Sequence, residues 1–286
     1  MTRKTSTFMI DRRWVRVALL LPFVLVVLGA KWPPIDHTAP VDRVRELSSS
    51  LQLELAPVPS FRFSQDLVAS GGPPGEPGHI RLEGTGSGTA EEGNLSWTIR
   101  LERIVIDGAE FSGDPLVDVS IVTQRSGRTL GMWANLRGLP QKQDRGSVGW
   151  MARRLGTQWL NTLTEDPFGL PAGPVQQGAP FVSLGRYLAN GLGGIDGLRA
   201  TEPLGPSRVD GVATYNGRQV VAGHLSDGFS LEANVGSARV HAAGYALVDV
   251  ETGLTLDSLV HFTGNLRVAK VRRTFDLQIH SRIDLE

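Results

Sequence analysis

The sequence predicts an α+β fold, mostly antiparallel β, built as two β-meanders joined by one amphipathic helix and a Pro/Gly-rich linker. Three observations predict it. Strict alternation recurs in both halves, as at Leu95, Trp97, Ile99 and Leu101 and again at Phe275, Leu277 and Ile279. One window alone, Val148 to Leu163, changes to helical spacing. Finally, 34 Gly and 17 Pro punctuate the apolar runs, while 41% apolar residues leave material for a core.

Residues 1–16 carry Arg3, Lys4, Arg12, Arg13 and Arg16 against one acid, Asp11, and an uncharged run follows from Val17 to Ala30. A basic head before an apolar run reads as an export signal or N-terminal membrane anchor, residues 1–30. Fourteen helical residues rise about 21 Å, short of the roughly 30 Å of a bilayer core. Cleavage after the small residues Gly29 or Ala30 and retention as a tether through residues 17–30 both stay open. Either fate predicts a cell-envelope protein, periplasmic, anchored in the cytoplasmic membrane or released. Residues 31–40, with Pro33, Pro34 and Pro40, read as an extended spacer.

The remainder, residues 41–286, is long enough for one large β-rich extracytoplasmic domain. Two similar halves, 41–165 and 180–286, are a reading the pattern allows. Removing the head's five basic residues and one acid from 29 of each leaves 24 against 28, a mildly acidic body. Nucleic acid, which favours a basic face, is therefore not an expected partner. With no cysteine there is no disulfide and no thiolate chemistry.

In chain order, Val44, Leu47 and Leu51 have helical spacing, and Leu51 to Leu55 and Phe61 to Phe63 alternate as strands. Ser70 to Gly78 reads as a loop, and Gly84-Thr-Gly-Ser-Gly88 as a flexible hairpin. Leu95 to Leu101 is a strand whose phase slips after Glu102, which predicts a bulge. Val117, Val119 and Ile121 pair through a turn at Arg125–Arg128 with Leu130, Met132, Ala134 and Leu136. The helix over Val148–Leu163 has Val148, Met151, Leu155, Trp159, Leu160 and Leu163 on one face. Asp166 to Phe181 is the linker, Phe181 to Leu188 a short strand, and Asn190 to Pro206 a Gly-rich loop. Arg208 to Tyr215 and Gln219 to Leu225 flank Asn216-Gly217, a type I′ hairpin signal. Arg239 to Val248 and Leu254 to Phe262 flank a turn at Asp249–Gly253, and Phe275 to Leu285 is the clearest strand.

A helix followed by Leu170-Pro-Ala-Gly-Pro-Val-Gln-Gln-Gly-Ala-Pro-Phe181, strands, and Gly244-Tyr-Ala-Leu-Val-Asp-Val-Glu-Thr-Gly253 resembles a family of uncharacterised β-rich bacterial envelope proteins. The resemblance covers residues 95–285. It implies a secreted or lipid-anchored protein and carries no catalytic residue. This chain departs from many such members in having no cysteine to lipidate.

Catalytic signatures are weak. No histidine pair has the zinc-helix spacing, and Gly228-Phe-Ser-Leu-Glu232 fails as a nucleophile elbow at its last position. His241 and His261 could approach across a hairpin centred near Thr252, with Glu232 or Asp257 beside them. Solvated strand histidines are the expected state, so no metal, cofactor or catalytic residue is predicted. The expected function is non-enzymatic binding of a lipid, another apolar ligand or an envelope partner between helix and curved sheet, near Trp150, Met151 and Trp159. Two alternatives remain: a hydrolase using loop residues at Asp166–Gly178 and Gly191–Gly197, and a scaffold pairing through an edge strand such as Phe275–Leu285.

Overall fold

The computed structural model describes residues 38–70, 78–140, 147–165, 168, 170–171, 173–181, 198–200, 208–233, 236–268 and 271–286. The leader, most of the spacer, the centre of the Ser70–Gly78 loop, the strand expected beyond Phe181 and the Gly191–Gly197 loop lie outside them. Among the described residues no helix is long and apolar enough to cross a membrane.

Eleven strands form one antiparallel sheet: β1 (Val58–Ser70), β2 (His79–Glu91), β3 (Asn94–Ile106), β4 (Ala109–Thr123), β5 (Thr129–Asn135), β6 (Leu198–Ala200), β7 (Arg208–Tyr215), β8 (Arg218–Ala233), β9 (Gly236–Asp249), β10 (Thr255–Val268) and β11 (Val271–Leu285). Ten follow the order β5-β4-β3-β2-β1-β11-β10-β9-β8-β6, and β7 pairs with β8 off that path. Among the described residues there is one helix, α1, over Val148–Glu165.

This overturns the α+β reading with two meanders joined by a helix. The meanders are real in chain order, but they are not joined by α1. Strand β1 pairs with β11 from Phe61↔Leu285 to Ser70↔Asp276, so both meanders are parts of one sheet. The helix sits where the 3.6-residue spacing placed it, lying against β3 and β4, and the other regular elements among the described residues are all strands. Periodicity reports which face a strand buries; it carries no information on which distant strand completes its ladder.

The sheet buries its two halves differently. On β1–β4 one face is apolar: Phe61, Leu82, Trp97, Leu101, Val119 and Ile121 pack beneath Leu155, Trp159 and Leu163 of α1. The other face carries Arg81, Glu83, Arg103 and Glu110, tied by ion pairs. On β8–β10 both faces are covered. Leu247 and Leu259 belong to the first cluster, while Val221, Val248, Val260 and Phe262 join Leu53, Val175 and Phe181 in a second. A strand buried on both faces needs a continuous apolar run, which Tyr245-Ala-Leu-Val248 supplies.

Two local expectations change as well. Residues 41–51 form no helix; they run as irregular chain with bridges Arg45↔Val212 and Leu51↔Val175. Their apolar side chains cover a sheet, and helical spacing in so short a window did not distinguish that from a helix face. Gly84, Gly86 and Gly88 are no hairpin but the middle of β2, with Phe63 opposite Gly84, Phe61 opposite Gly86 and Trp97 opposite Gly88. A Cβ at any of the three would collide with the facing ring. These glycines are seats for aromatics. The predicted bulge is present at Glu102, skipped between Leu101 and Arg103 in the pairing with β4. Asn216 and Gly217 both have positive φ, 49° and 79°, as the type I′ turn requires.

Filling one of these seats should strain the core. Gly86→Val is expected to cost about 1–3 kcal/mol by overpacking against Phe61, read as a lower midpoint in urea unfolding with unchanged slope.

Candidate functional site

Two places depart from ordinary sheet packing: a buried polar node on β7, β9, β10 and β11, and the outer edge of β5. The node forms because β10 is irregular at its start. Thr255 pairs with Val248 and Asp257 with Leu247, so the ladder skips a residue. Asp257 then lies opposite Leu247 and Arg282, and Leu259, next on the same face, lies opposite Tyr245 and His280. Tyr245 and His280 are thereby diagonal neighbours of a fully buried carboxylate. The Asn216-Gly217 hairpin brings in Tyr215 from β7.

Asp257 Oδ1 accepts from Tyr245 Oη at 3.0 Å and lies 2.9 Å from His280 Nε2. Oδ2 accepts from Tyr215 Oη at 2.7 Å, with Arg282 Nε 3.5 Å away. Arg282 Nε is also 3.1 Å from His280 Nε2. One nitrogen cannot donate to Asp257 and accept from Arg282 together. The buried carboxylate makes the stronger demand, so we assign the proton to His280 Nε2 and treat Arg282 as a nearby cation.

Burial works against the Asp257 charge, but the bonds from His280, Tyr215 and Tyr245 outweigh it and hold its pKa below the usual value. Burial, and then Asp257 itself, push Tyr215 up to about 12 and raise Tyr245 further. Both phenols therefore remain donors. The carboxylate is fully buried and already accepts three hydrogen bonds from other strands, so this arrangement clamps strands together. A second clamp has the same logic: buried Asp249 takes Arg218 through both oxygens at 3.0 and 2.9 Å and the Thr252 amide at 2.9 Å, locking two turns together.

Three more histidines pair with aspartates: His79 with Asp66 and His261 with Asp276, each at 2.9 Å, and His224 with Asp210 at 2.5 Å. His241 lies opposite Thr263, which makes it a diagonal neighbour of His261 across β9 and β10, and the His261 ring takes Asp276. Among the described residues no group of three such side chains could hold an ion. The hydrolase reading placed its residues on loops that are only partly described; His, carboxylate and hydroxyl meet instead at the closed node. The signal for it was an acid inside the apolar run Leu254–Phe262 and two of only three tyrosines on strands.

The expected ligand residues are distributed rather than gathered. Trp159 is buried, its ring stacked on Phe63 at 5.6 Å. Met151 packs against the same cluster. Trp150 is half-buried under the Arg154 guanidinium, 5.5 Å from its ring centroid. Phe168 meets Trp97 at 4.6 Å, and Leu139 fills the space over Gly156. Side chains of the protein itself occupy the helix–sheet interface at these points.

The edges of the sheet differ. Strand β7 is closed on its outer side by main-chain bonds from Arg45 to Val212 at 2.8 Å and from Gly178 to Val209 at 2.8 Å. Strand β11, offered by the sequence as an edge, is internal, between β1 and β10. Among the described residues strand β5 is paired only to β4, and none pairs with its outer side. Its sequence, Thr-Leu-Gly-Met-Trp-Ala-Asn, has no charge and no proline; its one irregularity is Leu130, skipped in the ladder with β4. Trp133 is 64% exposed and Leu130 48%.

Among the described residues these features define a single-sheet β protein with one helix, a closed buried clamp and an unpaired β5 edge. No family model and no curated protein matches the chain.

The clamp makes pH predictions with definite sign. Asp257 has a folded pKa below its unfolded value of about 3.9, so its contribution is whole above that and lost as pH falls through the folded value. Tyr215 has a folded pKa above its unfolded value of about 10, so its contribution is whole below that and lost as pH rises through about 12. Thermal melts should therefore show a plateau between these limits. Asp257→Ala should cost about 3–5 kcal/mol and Tyr215→Phe about 1.5–3 kcal/mol, each measured by denaturant titration at neutral pH.

Proposed function

We propose that this is a non-enzymatic envelope protein that works by docking a protein partner onto the β5 edge, the partner adding a strand to the sheet. The observation that carries the reading is the bare, uncharged edge bearing Trp133, in a sheet whose β7 edge is closed by the chain's own segments. Natural sheets blunt exposed edges with charge, proline or covering chain; β5 relies on a single bulge at Leu130. Added strands gain main-chain hydrogen bonds and find a side-chain anchor in the exposed indole. The apolar-ligand reading has less support, because Trp159, Phe63, Leu139 and Phe168 fill the helix–sheet interface at the places expected to bind. The envelope location rests on the basic head and apolar run of residues 1–30.

A photoreactive amino acid replacing Trp133 in the full chain, illuminated in intact membranes, should give one discrete adduct. The same group at exposed Thr214 on closed β7 should give none. Equal labelling at both positions, or none at 133, would sink the reading.

A further inference from the structure

We propose that the occupant of the β5 edge is a second copy of this chain, paired antiparallel about a two-fold axis at Met132. This rests on the docking-edge reading above and commits it to one partner. In that register Gly131 lies opposite the second copy's Trp133, Met132 opposite Met132, and Trp133 opposite Gly131. The pairing of an aromatic ring with a directly opposite glycine is the one this sheet already uses three times, at Phe63↔Gly84, Phe61↔Gly86 and Trp97↔Gly88. Within one copy the exposed Trp133 ring leans towards Gly131, 3.0 Å from where a Cβ on that glycine would stand. The strand therefore carries an aromatic and its seat two residues apart, which is the spacing a two-fold antiparallel pair needs to satisfy both copies at once.

Charge agrees with this partner. Strand β5 is neutral throughout, so self-pairing sets no like charges opposite one another. Arg128 and Arg137 flank the strand, so what repulsion exists lies at the ends and added salt should strengthen association. Faces match too. Gly131 and Trp133 sit opposite Val122 and Ser120 of β4, while Met132 sits opposite Ile121 and packs on the main core cluster. Two-fold pairing carries the apolar face of one copy into that of the other through Met132, and stacks both indoles on the polar face. The bulge at Leu130 lies outside these three central pairs.

The test uses the full chain purified in mild detergent. The chain has no cysteine, so Met132→Cys gives one thiol per copy. Two such thiols should give up their hydrogens to dissolved oxygen, forming a disulfide and hydrogen peroxide, seen as a band of twice the chain's mass without reductant that returns to once the mass with it. Exposed Trp133→Lys should weaken association by at least about tenfold, read by sedimentation, with unchanged melting. Cross-linked Met132→Cys dimer, together with loss of association in Trp133→Lys, is the expected result. A monomer at every concentration, a dimer indifferent to Trp133→Lys, or no disulfide at 132 would overturn the proposal. The photoadduct at position 133 separates the two readings. An adduct of twice the chain's mass supports both, and an adduct of another mass keeps the docking edge and removes the second copy. No adduct removes both.

Discussion

The whole architecture depends on the ladder between β1 and β11. Ten residue pairs, from Phe61↔Leu285 to Ser70↔Asp276, join the two sets of hairpins into one sheet over a shared core cluster. Arg62 reaches Glu286 at 2.7 Å across 224 positions of chain. Every other major ladder is between strands adjacent in sequence or nearly so, and each hairpin can close locally. The β1–β11 ladder closes the longest connection in the sheet and so carries its largest loop-closure entropy.

Strand pairing alone leaves register loose wherever both faces are apolar, because a slip there exposes nothing new. That is the situation on β8–β10, and it is where the buried polar clamps lie. Asp257 holds Tyr215, Tyr245 and His280 from three other strands, and Asp249 holds Arg218 and Thr252. A slip by one residue would strand a buried carboxylate without partners, at a cost far above that of mismatched methyl groups. The clamps thus give a doubly covered sheet a unique register, while the β1–β4 half obtains its register from having one apolar and one ion-paired face.

The same contrast explains the edges. Segments 41–51 and 175–180, which cover the second core cluster, also complete the main chain of β7. Helix α1 covers the first half from above, chiefly on β3 and β4. Strand β7 is thereby finished by the chain itself, while β5 presents Trp133 and a main chain that no described residue pairs.

By itself the sequence determined strand positions, turn types and the helix, because these follow from side-chain period and backbone preference within a few residues. The alternation at Leu95–Leu101, the Asn216-Gly217 turn, the bulge at Glu102 and the window at Val148 were all legible. Only tertiary structure decided that the two meanders are one sheet and that Gly84–Gly88 seats rings. It also decided that residues 41–51 cover a sheet, that Asp257 gathers its partners from three distant strands, and that β5, not β11, is the bare edge. Each depends on which chain lies across the ladder. A hydrogen-bonding edge is the same whatever residue stands on it, so the pairing leaves no periodic trace in the sequence.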